Sequence, residues 1–171
     1  MAASPKQRWL ILAHAFNMDG RAASQTITDK IPHLLAADIE LVVLSGALGE
    51  QDQRFVHHRL WPWGPAGLRF EMRHVLRKHV SGWLYRWCMV ALSLPLLPFM
   101  LIEKLLFPYE SSWSWQFAAV AKARQLASAQ PFDLIYSTGG AYAAHLAART
   151  LKKEWGKPWL AEVHDPFVMP G

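Results

Sequence analysis

At 171 residues the chain is long enough for one domain with a real core, since a domain of this size buries about two-thirds of its unfolded surface. Hydrophobic residues at 52% and charged residues at 18%, against about one-quarter charged in ordinary soluble domains, exclude disorder and a collagen-like repeat. The single cysteine, Cys88, excludes an internal disulfide framework and a four-cysteine zinc site and fits a reducing compartment, while the net charge of +5 takes its meaning from where it falls.

The opening MAASPKQ runs into an apolar stretch too short for a signal-peptide core and without a cleavage site. Arg8 to Phe16 (RWLILAHAF) reads as a buried strand closed by the polar turn Asn17 to Arg21. A helix follows from about Ala22 toward Ala37, with Asp19 or Ser24 near its start, and Pro32 is expected to kink or split it. Glu40 to Ser45 is a second buried strand, residues 47–58 a polar loop, and Arg59 to Trp63 a short third strand.

From Leu68 the period becomes helical. Leu68, Met72, Val75, Leu76 and Trp83 share one face, and Arg69, Arg73 and Arg77 form a second stripe four residues apart. Between Arg54 and Ile102 stand seven basic residues and one acid, Glu71, and six of the nine tryptophans lie between Trp61 and Trp115. The longest uncharged run, Trp87 to Ile102, spans sixteen residues and contains Pro95 and Pro98. A spanning helix needs about 20 apolar residues, and two prolines three apart are expected to break this one. The run therefore reads as an interfacial or core segment, with a tilted span reaching Phe107 as the alternative. A basic stretch leading into an apolar, tryptophan-rich one points to a membrane surface rather than to nucleic acid.

Trp113 to Gln130 is the next helix, with Ser111 or Ser112 at its start. Phe132 to Ser137 is a strand, Thr138-Gly139-Gly140 a tight turn, Ala141 to Trp155 an Ala-rich helix, and Trp159 to Val163 the last strand, followed by His164-Asp165-Pro166. Buried strands alternating with helices imply an α/β fold with a Rossmann-like, doubly wound parallel sheet. The residues from about 65 to 110 form a basic and apolar helical insert within it. In such sheets ligands sit beyond the carboxyl ends of the strands, and those ends carry Asn17 to Arg21, Thr138 to Gly140, and His164-Asp165.

The stretch Phe132 to Phe167, FDLIYSTGGAYAAHLAARTLKKEWGKPWLAEVHDPF, resembles the N-terminal, acceptor-side domain of GT-B glycosyltransferases, in particular the retaining group called family 4. The matching features are a strand of the type D-(apolar)-I-Y-S, a small-residue turn, a helix carrying A-H-L, a G-K-P-W turn and a strand ending in H-D. Asp19-Gly20-Arg21 and the helix behind it match the family's opening more loosely, and residues 50–112 match in character only. The resemblance implies one N-terminal Rossmann-like domain over residues 1–171. It implies a donor-binding C-terminal domain that the sequence, ending at Gly171, does not contain. A fragment, a truncated gene and one half of a split enzyme are all compatible with that.

Through the resemblance, His164 would face the reacting sugar, a role that suits imidazole hydrogen bonding to hydroxyl or phosphate oxygen. Asp165 reads as a cap of the following turn. Gly20 and Arg21, before the first helix, either receive a phosphate at the helix N-terminus or form an ordinary turn. G-x-G-x-x-G is absent, and the family's glycine pair is here Asp19-Gly20. Gly139 and Gly140 permit close approach at the third loop or helix packing on the sheet. His145 reads as a satisfied histidine, and Cys88 as a buried inert thiol. His57-His58 is a loop pair, and with no H-x-x-x-H or H-E-x-x-H spacing no metal is expected.

Arg69, Arg73, Arg77, Lys78, Trp83 and Trp87 are the expected membrane-binding residues, with Arg86 beside them. At roughly 1 kcal/mol per basic residue near an anionic leaflet, the cations alone would bind weakly, and the apolar run would add to them. The expected function is the acceptor-binding half of a membrane-associated, metal-independent glycosyltransferase. It would move a sugar from a sugar nucleotide to a lipid-linked or saccharide acceptor, peripheral on the cytoplasmic face of the plasma membrane. A separate C-terminal half is a candidate partner. The rivals are a non-catalytic membrane-docking or partner-binding module, and a small Rossmann-like nucleotide binder, which the missing glycine fingerprint disfavours.

Overall fold

A computed structural model describes residues 6–18, 22–107, 112–139 and 142–164. Along the chain lie β1 (Arg8–Leu12), α1 (Ala22–Ala36), β2 (Glu40–Gly46), β3 (Val56–Leu60), α2 (Pro65–His79), α3 (Gly82–Leu106), α4 (Trp115–Ala129), β4 (Leu134–Thr138), α5 (Tyr142–Trp155) and β5 (Trp159–Glu162). The five strands form one sheet in the order β3-β2-β1-β4-β5, and every neighbouring pair is parallel. The protein is thus α/β with an all-parallel sheet, compatible with a Rossmann-like fold. All carboxyl ends fall on one edge, and the strand order reverses between β1 and β4, where a crevice opens in such sheets.

The central strands are apolar without interruption because both their faces are covered. Successive side chains alternate across the sheet. Leu10, Leu12, Val42 and Leu44 pack with Trp115, Ala119 and Ala123 of α4 and with Ala143, Ala147 and Leu151 of α5. Ile11, Ala13, Leu41 and Val43 face the other way, onto Ile27 and Ile31 of α1. Full burial of each Leu or Ile contributes about 1.5–3 kcal/mol. The alanines of α5 let that helix approach closely, which a larger residue such as Leu at Ala144 or Ala147, both fully buried, would prevent.

Two expected breaks do not occur. α1 runs through Pro32 without splitting, and α3 is one helix of 25 residues through Pro95 and Pro98. All three prolines lie on exposed faces, where the carbonyls they leave without a helical donor do not have to be satisfied by packed neighbours. The inward stripe of α3 (Tyr85, Met89, Leu92, Leu96, Met100, Glu103) repeats every three or four residues and is buried or half-buried, and α3 packs on α2. That packing is indifferent to the missing amides on the other side. The third strand also begins earlier than expected, at Val56 rather than Arg59.

Glu103 closes this helical pair at its base. Its carboxylate accepts from the Ala66 amide at 2.9 Å and from Trp113 Nε1 at 2.7 Å. A carboxylate at the first turn of α2 satisfies an orphan amide and complements the helix dipole. Gly64 N donates to Ser114 Oγ at 2.9 Å, which ties the same end to the segment before α4.

Candidate functional site

The carboxyl edge of the sheet holds two groups of polar side chains. The first lies beyond β4 and β5. Glu162 and Thr138 are register partners across these strands, and Thr138 Oγ1 donates to Glu162 Oε2 at 2.8 Å. Lys30, reaching from α1, and the Tyr136 phenol both donate to the same carboxylate. Burial works against ionisation of Glu162, but the hydrogen bonds from Lys30, Tyr136 and Thr138 outweigh it and hold its carboxyl at about 2. Burial also opposes the Lys30 charge, yet its bonds to Glu162 and Tyr136 raise it above the ordinary lysine value. Burial, and then the bond to Glu162, push the Tyr136 phenol up.

His164 joins this network. Its Nε2 stands 3.0 Å from Thr138 Oγ1 and 4.0 Å from Glu162 Oε2. Since the single Thr138 proton goes to Glu162, the hydroxyl accepts from His164 Nε2–H. Nδ1 then has no partner among the described residues and is the ring atom able to accept from a ligand hydroxyl. The side chain is 20% exposed. His164 thus sits at the strand end where the sequence placed it. Of its supports, Thr138 was placed at this edge by the sequence, whereas Tyr136, Glu162 and Lys30 escaped that reading. One signal was available: Glu162 and His164 are two residues apart on an extended segment and so share a face.

Gly139 adopts φ 111°, a conformation that favours glycine, and the rest of the expected turn lies outside the described residues. His145 Nδ1 accepts from Ser137 Oγ at 2.9 Å, and Nε2 faces the Gly139 carbonyl at 3.3 Å. This histidine is a tie between α5 and β4. Asp19, Gly20, Arg21, Ser111, Gly140 and Asp165 lie outside the described residues.

The second group lies at the opposite side of the sheet, beyond β1, β2 and β3. The loop after β2 folds against the loop after β1, with Glu50 N donating to Asn17 O at 3.1 Å. Gly49 is required there, because a Cβ would fall 1.8 Å from Phe16 O. Glu71, fully buried on α2, stands 3.1 Å from His14 Nε2 at the end of β1. The two are not aligned as a hydrogen bond, and neither His14 Nε2 nor the Glu71 carboxylate has a hydrogen-bond partner among the described residues, while the His14 ring meets Trp115 edge-on at 5.4 Å. This contact holds α2 over the ends of β1 and β2.

Ser45, His57 and Asp52 resemble a nucleophilic triad in composition and do not form one. The Asp52 backbone amide donates to His57 Nδ1 at 3.0 Å, so Nε2 carries the proton and donates to Ser45 Oγ at 2.8 Å. A general base would need the opposite direction. Burial lowers the His57 ring to about 4, which keeps it neutral. The arrangement ties loop 47–52 to the sheet.

The basic residues expected to act together do not all do so. Arg69 is half-buried and donates to Ser93 Oγ of α3 at 2.7 Å. Arg73 is exposed over the Phe70 ring at 5.6 Å. Arg77 and Lys78 border a cleft of about 260 Å³ with His74 and Glu50, and Lys78 also borders an adjoining cleft of about 560 Å³. Trp83 does not share the α2 face with Leu68 and Met72. It opens α3 and is 72% exposed, and Trp87 is 65% exposed. Cys88 is half-buried rather than buried. Strand order separates these residues from His164, since β3 and β5 are opposite edges.

α3 carries a second stripe on its outward side, Trp83, Trp87, Val90, Leu94, Leu97, Leu101 and Leu105, all between 45% and 83% exposed. A continuous apolar face of this length is far more than a soluble surface usually shows. At 1.5 Å per residue, 25 residues reach roughly 37 Å, so α3 is long and apolar enough to cross a bilayer. No group of three or more His, Cys, Asp or Glu side chains among the described residues is arranged to hold a metal ion. Comparison with known protein-family models, with curated proteins and with solved structures finds no match to this chain.

Proposed function

We propose that this chain is the acceptor-side half of a membrane-associated glycosyltransferase of GT-B type, working with a second domain that holds most of the sugar nucleotide. The observation that carries the reading is His164. The segment bearing the sequence resemblance folds as β4, α5 and β5, and it ends with an imidazole at the carboxyl edge of a parallel sheet, held by Thr138. In this reading Nδ1 of His164 accepts from a hydroxyl of the reacting sugar. The anionic Glu162 behind Thr138 fixes the ring and favours positive charge as oxocarbenium character develops.

Membrane attachment falls to α3. Its inner stripe packs on α2, which carries Arg69, Glu71, Arg73, Arg77 and Lys78. Glu71 and Glu103 fasten the pair to the sheet and to Trp113. Crossing a bilayer would drag those charges into hydrocarbon, so α3 lies in the interface, with its outward stripe in lipid and Trp83 and Trp87 at head-group depth. The pairing on α2, rather than the prolines, is the reason. The attached face is that of the cytoplasmic leaflet, whose anionic lipids attract Arg73 and Arg77.

The test combines this chain with a donor-binding domain of GT-B type supplied in trans and adds labelled sugar nucleotides with a lipid extract. Transfer of label into the organic phase, lost in His164→Ala, is expected. Absence of transfer with every donor overturns the reading.

A further inference from the structure

The amino edge of the sheet, away from His164, carries a concavity of its own. A cleft of about 400 Å³ lies where α4 and α5 end, walled by Ala127, Pro131, Phe132 and Trp155 and bordered by Arg124 and Lys157. Phe132 stands just before β4 and Lys157 just before β5. Both strands run from here toward the carboxyl edge, and at about 3.3 Å per residue the segment from Lys157 to His164 spans roughly 20 Å.

The stop signal of α5 builds one wall. Gly156 takes φ 66°, and its amide donates to the Lys152 carbonyl at 3.0 Å, which ends the helix at Trp155. Pro158 follows, and its carbonyl accepts from the Ile135 amide at 3.0 Å. Lys157 is therefore held between a helix cap and the sheet. The aromatic wall is equally fixed. Phe132 is buried and stacks on Trp155, with centroids 5.8 Å apart and planes at 18°. The Arg8 guanidinium covers Phe132 at 4.5 Å and is itself tied to Glu40 at 2.8 Å and to the Gln130 carbonyl. Trp155 remains half-buried, so part of a ring that is already held in place stays open to a ligand.

The charge at this cleft is unbalanced by one. Arg124 is neutralised by Glu154, whose carboxylate accepts from both its Nε, at 3.0 Å, and a terminal nitrogen. Asp133, next to Phe132, accepts from the Arg8 amide at 2.9 Å. Lys157 is half-buried and is in no ion pair or hydrogen bond among the described residues. Its ammonium has lost part of its hydration without gaining a partner, a cost that an incoming anion would remove.

We infer that the cleft between the ends of α4 and α5 binds a small aromatic monocarboxylate, with its ring against Trp155 and its carboxylate on Lys157 Nζ. A planar apolar wall favours a ring that can stack on it, and one unpaired cation favours one negative charge. A phosphate monoester would bring a second charge toward Glu154 with no cation left to meet it. This site is separate from the proposed glycosyl transfer and does not depend on it.

The experiment titrates the full chain with naphthoate and follows hydrogen–nitrogen correlation spectra. Naphthylmethanol serves as the neutral isostere, acetate as the bare anion and naphthyl phosphate as the dianion. Saturable shifts of the Trp155 indole and Gly156 amide signals are expected, with the Thr138 and Glu162 amides unmoved. Naphthoate should bind at least tenfold more tightly than each of the other three. Lys157→Gln, at a residue with no partner to lose, should lower naphthoate to the affinity of naphthylmethanol. Equal binding of naphthylmethanol would reduce the cleft to an unselective apolar surface, and tighter binding of naphthyl phosphate would assign it to a dianion. Shifts confined to Thr138 and Glu162 would move the probe to the carboxyl edge. Each of these results overturns the inference, as does an affinity unchanged in Lys157→Gln. No saturable shift with naphthoate also overturns it and leaves the cleft to an apolar side chain of a partner protein.

Discussion

Replacing Glu162 by glutamine isolates the charge at the centre of the β4–β5 network. Glutamine keeps the shape and an acceptor oxygen for Tyr136 and Thr138, but it removes the ion pair with Lys30. The Glu162 carboxyl is lowered from 4.5 to about 2, and that difference corresponds to roughly 3 kcal/mol. The side chain is 23% exposed, so solvent screening takes only part of this. The folded value lies below the unfolded one. The stabilisation is therefore complete above pH 4.5 and is lost as pH falls through about 2. Urea unfolding followed by tryptophan fluorescence, with Trp159 in β5 as a local reporter, should show Glu162→Gln about 2–3 kcal/mol less stable at pH 7 and only about 1 kcal/mol less stable at pH 3. Equal stabilities at pH 7 would refute the reasoning, and so would a gap that does not narrow between pH 4.5 and pH 3.

Four further outcomes follow from other contacts. The neutral His57, held at about 4 against an ordinary 6.5, means the unfolded chain takes up a proton that the folded one refuses. Stability should fall by up to about 3 kcal/mol as pH drops from 6.5 to 4, and an equally steep slope in His57→Gln would disprove this origin. Gly49→Ala places a methyl 1.8 Å from Phe16 O and should cost about 1–3 kcal/mol in thermal or urea unfolding; an unchanged midpoint would show that the two loops are not in contact. Leu94→Glu with Leu101→Glu alters exposed positions only, so unfolding should stay within about 0.5 kcal/mol while binding to anionic vesicles falls at least tenfold; undiminished binding would remove α3 from the membrane. On the proposed function, His164→Ala in the chain combined with a donor-binding domain should lower turnover at least a hundredfold with lipid binding within threefold, and unchanged turnover would take His164 out of the site.

The sequence by itself determined the parts of this protein that depend on local period and local chemistry. Leu10 to Leu12 and Leu41 to Leu44 are short runs apolar at every position and bounded by polar residues, the pattern of a strand covered on both faces. The Ala-rich stretch of α5 and the glycine at Gly139 announce a helix and the turn before it. The position of His164 at a strand end could be read from Trp159 to Val163. Tertiary structure decided what depends on residues distant in sequence. Lys30 and Glu162 are 132 residues apart, and no local pattern pairs them. Strand order put His164 and the cationic cleft on opposite sides of the sheet, although both belong to carboxyl ends. Pro95 and Pro98 read as breakers because their local cost is certain, but packing on α2 constrains only the other side of the helix, so α3 stays whole. The same packing made Arg69 a partner of Ser93 and left the stripe from Trp83 to Leu105 uncovered. A hydropathy pattern shows that a helix has an apolar face, but which of two apolar faces is buried is settled by the neighbour that arrives.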